Sequence, residues 1–158
     1  MVSILFVCLG NICRSPMAEG LFIHHVKQAG LEDQFHIDSS GTGGWHAGER
    51  ADSRMLETAQ KHGVHLPSRA RKVRASDFEE FDYILPMDHS NKRDLEDLQR
   101  QYGGKAQVIL MRDFDELGKG EAVPDPYYGG RQGFDHVYEM LDRSTANFLD
   151  WVRRENGF

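Results

Sequence analysis

Apolar residues recur along this chain with two periods, and the two alternate. Residues 2–8, "VSILFVC", are rich in β-branched and aromatic side chains, with apolar positions on both faces, as in a strand buried on both sides of a parallel sheet. From Pro16 onward the period changes: Ala18, Leu21, Phe22, Val26 and Ala29 recur at helical spacing, and Gly30 supplies a stop. The same alternation repeats downstream. "FHIDSS" predicts a second strand and leads into a glycine-rich loop, "GTGGWHAGE"; "ADSRMLETAQKHG" predicts a second helix. "FDYILPM" and "AQVILM" predict strands three and four, with the helix "SNKRDLEDLQRQYG" between them. Phe134, Val137, Leu141, Phe148, Leu149 and Val152 form the stripe of a long last helix. Strands alternating with helices predict an α/β fold: a small, doubly wound, four-stranded parallel sheet with helices on both faces. No repeat, low-complexity tract or linker interrupts the pattern, so residues 1–158 are expected to form one domain.

Charge narrows the partners. With 19 Lys and Arg against 25 Asp and Glu, the net charge is -6. That balance argues against a nucleic-acid surface or an anionic membrane, both of which reward excess positive charge. An anion site must be built locally, from backbone dipoles and a few fixed cations. The opening apolar run is too short for a signal peptide or a membrane span, and two cysteines make no disulfide framework. A cytoplasmic protein is expected. The histidines show no metal-ligand spacing with the cysteines, and no metal or cofactor is implied. The run "DFEEFD" reads as a solvated helix edge.

Both cysteines, Cys8 and Cys13, lie in "LFVCLGNICRSP", where the first strand gives way to the first helix. In such sheets ligands bind at the carboxyl ends of strands. The amides of Leu9, Gly10, Asn11, Ile12 and Cys13 can converge on an anion there, with the helix dipole behind them. Gly10 permits a tight backbone, and Asn11 tolerates a left-handed conformation. The loop lacks the Lys-Ser/Thr ending of a nucleotide-binding loop and instead carries an arginine six positions after Cys8. Amide dipoles and Arg14 should favour the Cys8 thiolate, in a range of roughly 3.5–7.5 for comparable thiols. Arg14 can hold two phosphoryl oxygens in a planar fork, and Ser15 can donate to the sulfur. In-line attack by Cys8 would give a cysteinyl phosphate.

Expelling an alkoxide or phenolate needs a proton donor on another loop. "AVPDPYYGG" supplies Asp125 between two prolines, with Tyr127 and Tyr128 as aromatic walls and Trp45 of the glycine-rich loop as a further one. A thiolate and a protonated carboxyl are required together, so the rate should be greatest at acidic pH.

"VCLGNICRSPMAE", "DSSGT", "DYILPMDHSNKRDL" and "VPDPYYGG", in that order across nearly the whole chain, resemble the low-molecular-weight protein tyrosine phosphatases. The resemblance implies metal-free hydrolysis of phosphotyrosine in proteins or peptides, with Cys8 as nucleophile, Arg14 as phosphate clamp and Asp125 as general acid and base. It implies that Asn11 and Ser39 belong to a network holding the loop, and that Cys13 can form a reversible disulfide with Cys8. Tyr127 and Tyr128 match cleft aromatics that are phosphorylated in some relatives, so the resemblance adds a cognate tyrosine kinase to the expected partners. Ser68 departs from the pattern, standing where many relatives have a histidine that supports the loop asparagine. Among rivals, thioredoxin-coupled arsenate reductases need further cysteines after Cys13, and this chain has none. Protein-arginine phosphatases usually carry threonine in place of Ile12. A phosphotyrosine-binding module without catalysis would be expected to lose Cys8 or Asp125, and both are present.

Overall fold

The computed structural model describes residues 1–127 and 129–158. Tyr128, expected to be an aromatic wall, lies outside the described residues. Four parallel strands, β1 (Val2–Cys8), β2 (Phe35–Gly41), β3 (Tyr83–Pro86) and β4 (Gln107–Val108), stand in the order β2-β1-β3-β4. The chain therefore winds outward from β1 in one direction and then in the other. The crevice at the carboxyl end of β1 is the topological switch point where such sheets bind ligands.

Strand β1 is buried on both faces, as its composition predicts. Ile4, Phe6 and Cys8 join the larger core under α1 (Arg14–Gln28), α2 (Ser53–Lys61) and α5 (Arg131–Asn156). Leu5 and Val7 point the other way, to a smaller core with Phe78, Phe81, Ile84 and Leu95. The first two of those belong to α3 (Asp77–Glu80) and the residue just after it; Leu95 belongs to α4 (His89–Tyr102). The larger core is aromatic. Phe22 lies 5.6 Å from Phe6, 5.4 Å from Phe35 and 5.4 Å from Phe148, the Phe6 and Phe35 contacts being edge-on. Such geometry adds about 1 kcal/mol per pair to simple burial.

Two expectations need correction. The fourth strand was expected over residues 106–111, but only Gln107 and Val108 join the ladder, opposite Tyr83 and Ile84. Leu110 and Met111 turn inward instead and are buried, with a short 3-10 turn beginning at Met111. The run 77–82 is not a solvated edge. Asp77, Phe78 and Phe81 are buried, and Asp77 takes two hydrogen bonds from Arg71, at 3.0 and 3.1 Å. The acidic letters hid a helix whose buried carboxylate is paired with an arginine.

Candidate active site

The loop from Cys8 to Arg14 turns because Asn11 adopts φ 56, the sole non-glycine in the left-handed region among the described residues. Its carbonyls are spent on neighbours. Cys8 O, Leu9 O and Ile12 O accept from the amides of Thr42, Gly43 and Asp52, at 2.9, 2.9 and 2.8 Å. The amides of residues 9–14 have no acceptor among the described residues. Helix α1 starts at Arg14 without a side-chain cap, so its first amides also stay open toward the loop. A ring of unspent N–H groups at a helix start is an anion cradle.

A cavity of about 310 Å³ opens over the loop, lined by Cys8, Leu9, Gly10, Ile12, Cys13, Arg14, Trp45, His46, Asp125 and Tyr127. Nine of the residues predicted from sequence thus meet there, six from β1, the loop and α1, with Trp45, Asp125 and Tyr127 arriving from two distant loops. Asn11 and Ser15 do not line it. Both are buried behind the loop, where Ser15 Oγ lies 3.0 Å from Cys8 Sγ and Asn11 Nδ2 donates to Ser15 Oγ at 2.8 Å. Their side chains brace the loop and the sulfur from behind and do not face the cavity.

Arg14 is almost wholly buried, and its direction is fixed. One terminal nitrogen donates to Asp88 Oδ2 at 2.8 Å and to Val123 O at 3.0 Å; the other lies 3.6 Å from Asp125 Oδ2. Burial opposes its charge, yet negative charge at Cys8 and the Asp88 hydrogen bond outweigh this and raise it above its ordinary value. Asp125 is partly exposed at the cavity mouth, and its Oδ1 accepts the Tyr127 amide at 3.0 Å, a turn that aims the carboxyl inward. Cys13 is buried and unpaired; burial first, then the charges of Asp52 and Cys8, push its thiol far above the usual range. It is a protonated thiol beside the reactive one.

At the rim, Trp45 is 71% exposed and His46 hydrogen-bonds Glu49 at 2.9 Å. Gly10 has no Cβ to meet His46, whose ring carbon would stand 3.1 Å away. The Arg54 guanidinium lies 5.3 Å from the centre of the Tyr127 ring, steadying that wall. Sequence reasoning missed Asp88, Glu19, His46 and Arg71. Asp88 precedes a helix pattern and reads as an ordinary N-cap, which it also is, through Asn91 N at 2.7 Å.

A cysteine in an amide-lined loop, an arginine fork within it and a carboxyl across the cleft are the working parts of phosphate-monoester hydrolases that act through a thiol. Residues 3–157 match the family described as Low molecular weight phosphotyrosine protein phosphatase. A protein of that description from Schizosaccharomyces pombe is 50% identical over 149 residues, covering 94% of this chain and 95% of its own. A crystal structure of a protein tyrosine phosphatase from Entamoeba histolytica superposes with a TM-score of 0.90 at 40% identity, covering 99% of both chains. A Drosophila arginine phosphatase also superposes at 0.90, with 33% identity over 95% of this chain and 97% of its own. The chain belongs to the low molecular weight phosphotyrosine protein phosphatase family.

Proposed function

We propose that residues 1–158 form one catalytic domain that hydrolyses phosphotyrosine in proteins or peptides, in two steps. Cys8 Sγ attacks phosphorus, forming an S–P bond as the P–O bond to the aryl group breaks, and Asp125 gives its proton to the departing oxygen. Water then attacks the phosphorus of the cysteinyl phosphate; Asp125 takes its proton, the S–P bond breaks, and inorganic phosphate leaves. Arg14 and the amides of residues 9–14 hold the equatorial oxygens throughout, where charge builds in both transition states. Trp45 and Tyr127 wall the aryl group.

The observation that carries this reading is the coincidence, over one cavity, of Cys8, six unspent amides, a fixed Arg14 and the Asp125 carboxyl. Phosphoprotein substrates follow from the family; a cognate tyrosine kinase and a cytoplasmic setting are the finer parts of the proposal. No helix among the described residues is long and apolar enough to cross a membrane.

The likeness to an arginine phosphatase makes phosphoarginine the second substrate to test, although the apolar Ile12 in the cavity wall favours an aryl group. Phosphate release is compared for phosphotyrosine, phosphoserine and phosphoarginine peptides at mildly acidic and neutral pH. Phosphotyrosine should be turned over best, and fastest at acidic pH. Cys8→Ser should abolish turnover while vanadate still binds, and Asp125→Ala should slow it by about 10²-fold or more. A preference for phosphoarginine would reverse the Ile12 argument. Turnover indifferent to Cys8 would sink the mechanism.

A further inference from the structure

Glu19 is a buried carboxyl that the two steps above never use. It lies on α1, about one turn beyond Ser15, and is only 4% exposed. Its Oε1 accepts the Ser39 hydroxyl at 2.6 Å. That short contact ends a chain of hydrogen bonds whose direction can be read link by link.

The Arg71 amide donates to Asn11 Oδ1 at 3.0 Å, which fixes the Asn11 side chain with Nδ2 on the opposite side. The two Nδ2 hydrogens are both used, one on Ser15 Oγ at 2.8 Å and one on Ser39 Oγ at 3.0 Å. A hydroxyl that receives a hydrogen must send its own elsewhere. For Ser39 the acceptor is Glu19. For Ser15 the acceptors in reach are Cys8 Sγ at 3.0 Å and Ser40 O at 3.3 Å. Glu19 is therefore one acceptor end of a directed network whose other end, at Ser15, lies between Cys8 Sγ and Ser40 O, and the same network holds Asn11 at its positive φ. Without an acceptor at Glu19, the buried Ser39 hydroxyl would lack a partner for its hydrogen. Asn11 would then lose the Ser39 contact that orients it.

We propose that Glu19 is a positioning residue for the phosphate-binding loop, setting through Ser39 and Asn11 the direction in which Ser15 meets the Cys8 sulfur. The proposal rests on reading Cys8 as the nucleophile.

The surroundings of Glu19 make this end of the network sensitive to pH. From β2 it faces Asp38 and Ser39, and from residues 68–71 it faces Ser68 and Arg71. Arg71 is committed elsewhere, to Asp38 at 3.1 Å and to Asp77. The charged groups that act on Glu19 are thus one carboxylate and one shared guanidinium. Burial is the largest influence and pushes the Glu19 carboxyl up to about 7. Below that pH Glu19 is an un-ionised acid whose second oxygen still accepts from Ser39. Above it, a second negative charge joins the network that reaches Ser15 beside the Cys8 sulfur.

The test uses the full chain, p-nitrophenyl phosphate as substrate, and iodoacetate labelling of the Cys8 peptide across pH 5–9. Glu19→Gln keeps an oxygen to accept from Ser39 and cannot ionise; Glu19→Ala removes the acceptor. Glu19→Ala should lower kcat about tenfold with KM within about twofold, the size expected for one orphaned buried donor. It should also move the labelling profile to higher pH. Glu19→Gln should restore wild-type kcat and labelling below pH 6, and exceed wild-type kcat above pH 7. Glu19→Ala with unchanged kcat and labelling, or Gln as damaging as Ala, overturns the proposal. If Glu19→Ala does not fold, Ser39→Ala must reproduce the labelling shift, and its failure to do so is equally decisive. Absence of any turnover that Cys8→Ser removes would refute the phosphatase reading separately, because the labelling profile reports on Glu19 without turnover.

Discussion

Asp88 has two duties. One oxygen caps α4 through Asn91 N, and the other takes the hydrogen bond that points Arg14 at the loop. The two can be separated. Asp88→Asn keeps an acceptor for the cap but loses the charge beside Arg14, so kcat should fall about tenfold while stability changes by less than about 1 kcal/mol. Asp88→Ala should add the cap loss of about 1 kcal/mol, read by urea denaturation. Arg14→Lys is more severe. A point charge cannot satisfy Asp88 and Val123 O while offering a planar pair of donors to phosphate, so kcat/KM should drop by about 10²–10³-fold. A Lys variant within threefold of wild type in steady-state kinetics would show that charge alone suffices.

Helix α1 packs closely against residues 64–66, which follow α2. A Cβ at Gly20 would stand 2.4 Å from Leu66 Cδ2 and 2.7 Å from His65 O. In an open helix Gly→Ala would stabilise by about 1 kcal/mol. Here the backbone carbonyl cannot yield, and Gly20→Ala should destabilise by about 1–3 kcal/mol in urea melts. A second junction holds the acid loop. Asp115 is fully buried and accepts from Arg112 Nε at 3.0 Å, from Arg143 of α5 at 3.1 and 3.2 Å, and from Leu117 N at 3.0 Å. Burial works against its ionisation, but the Arg143 hydrogen bonds, the Leu117 amide and Arg112 together hold the carboxyl below its usual range. Arg112 also donates to Ala122 O at 3.1 Å, one residue before the carbonyl that steers Arg14. Asp115→Asn should cost about 3 kcal/mol, since it leaves two arginines short of a buried partner. It should also lower kcat, because the chain leading to Asp125 loses its anchor.

Stability of the molecule as a whole should follow Glu19 at neutral pH and the paired carboxylates in acid. The folded Glu19 value, about 7, lies above its ordinary 4.5, so the unfolded chain releases that proton first. Its contribution is complete below about 4.5, is lost progressively as pH rises, and is gone above about 7. At about 1.4 kcal/mol per pH unit between the two values, the loss is on the order of 3 kcal/mol. Glu19→Gln should be free of it, so the difference between wild type and variant in urea melts should widen in the variant's favour from pH 4.5 to 7. A constant difference would contradict the assignment. Asp52 and Asp115 act with the opposite sign. The Arg54 hydrogen bond first, for Asp52, and the network above, for Asp115, hold their folded values below the ordinary 3.8. Their contribution is present above that value and is lost as pH falls further.

Sequence determined what depends on neighbours along the chain. The strand 2–8, the left-handed turn at Asn11 and the helix after it follow from local periodicity and backbone preference, and they juxtapose Cys8, the loop amides and Arg14 within a few residues. Asp125, bracketed by two prolines, and the adjacent Tyr127 were legible in the same way, and the family resemblance agrees with that reading. Tertiary structure decided what depends on distant partners. Strand β4 stops after pairing with Tyr83 and Ile84, although β3 continues to Pro86, because Leu110 and Met111 beyond it turn into the core. Asp77 is buried because Arg71 reaches it, and Glu19 joins the site because Ser39, twenty residues away, lies on the neighbouring strand β2. A charged residue in a sequence carries no mark of whether a partner awaits it. Burial of a charge depends on that partner, and only the folded chain supplies it.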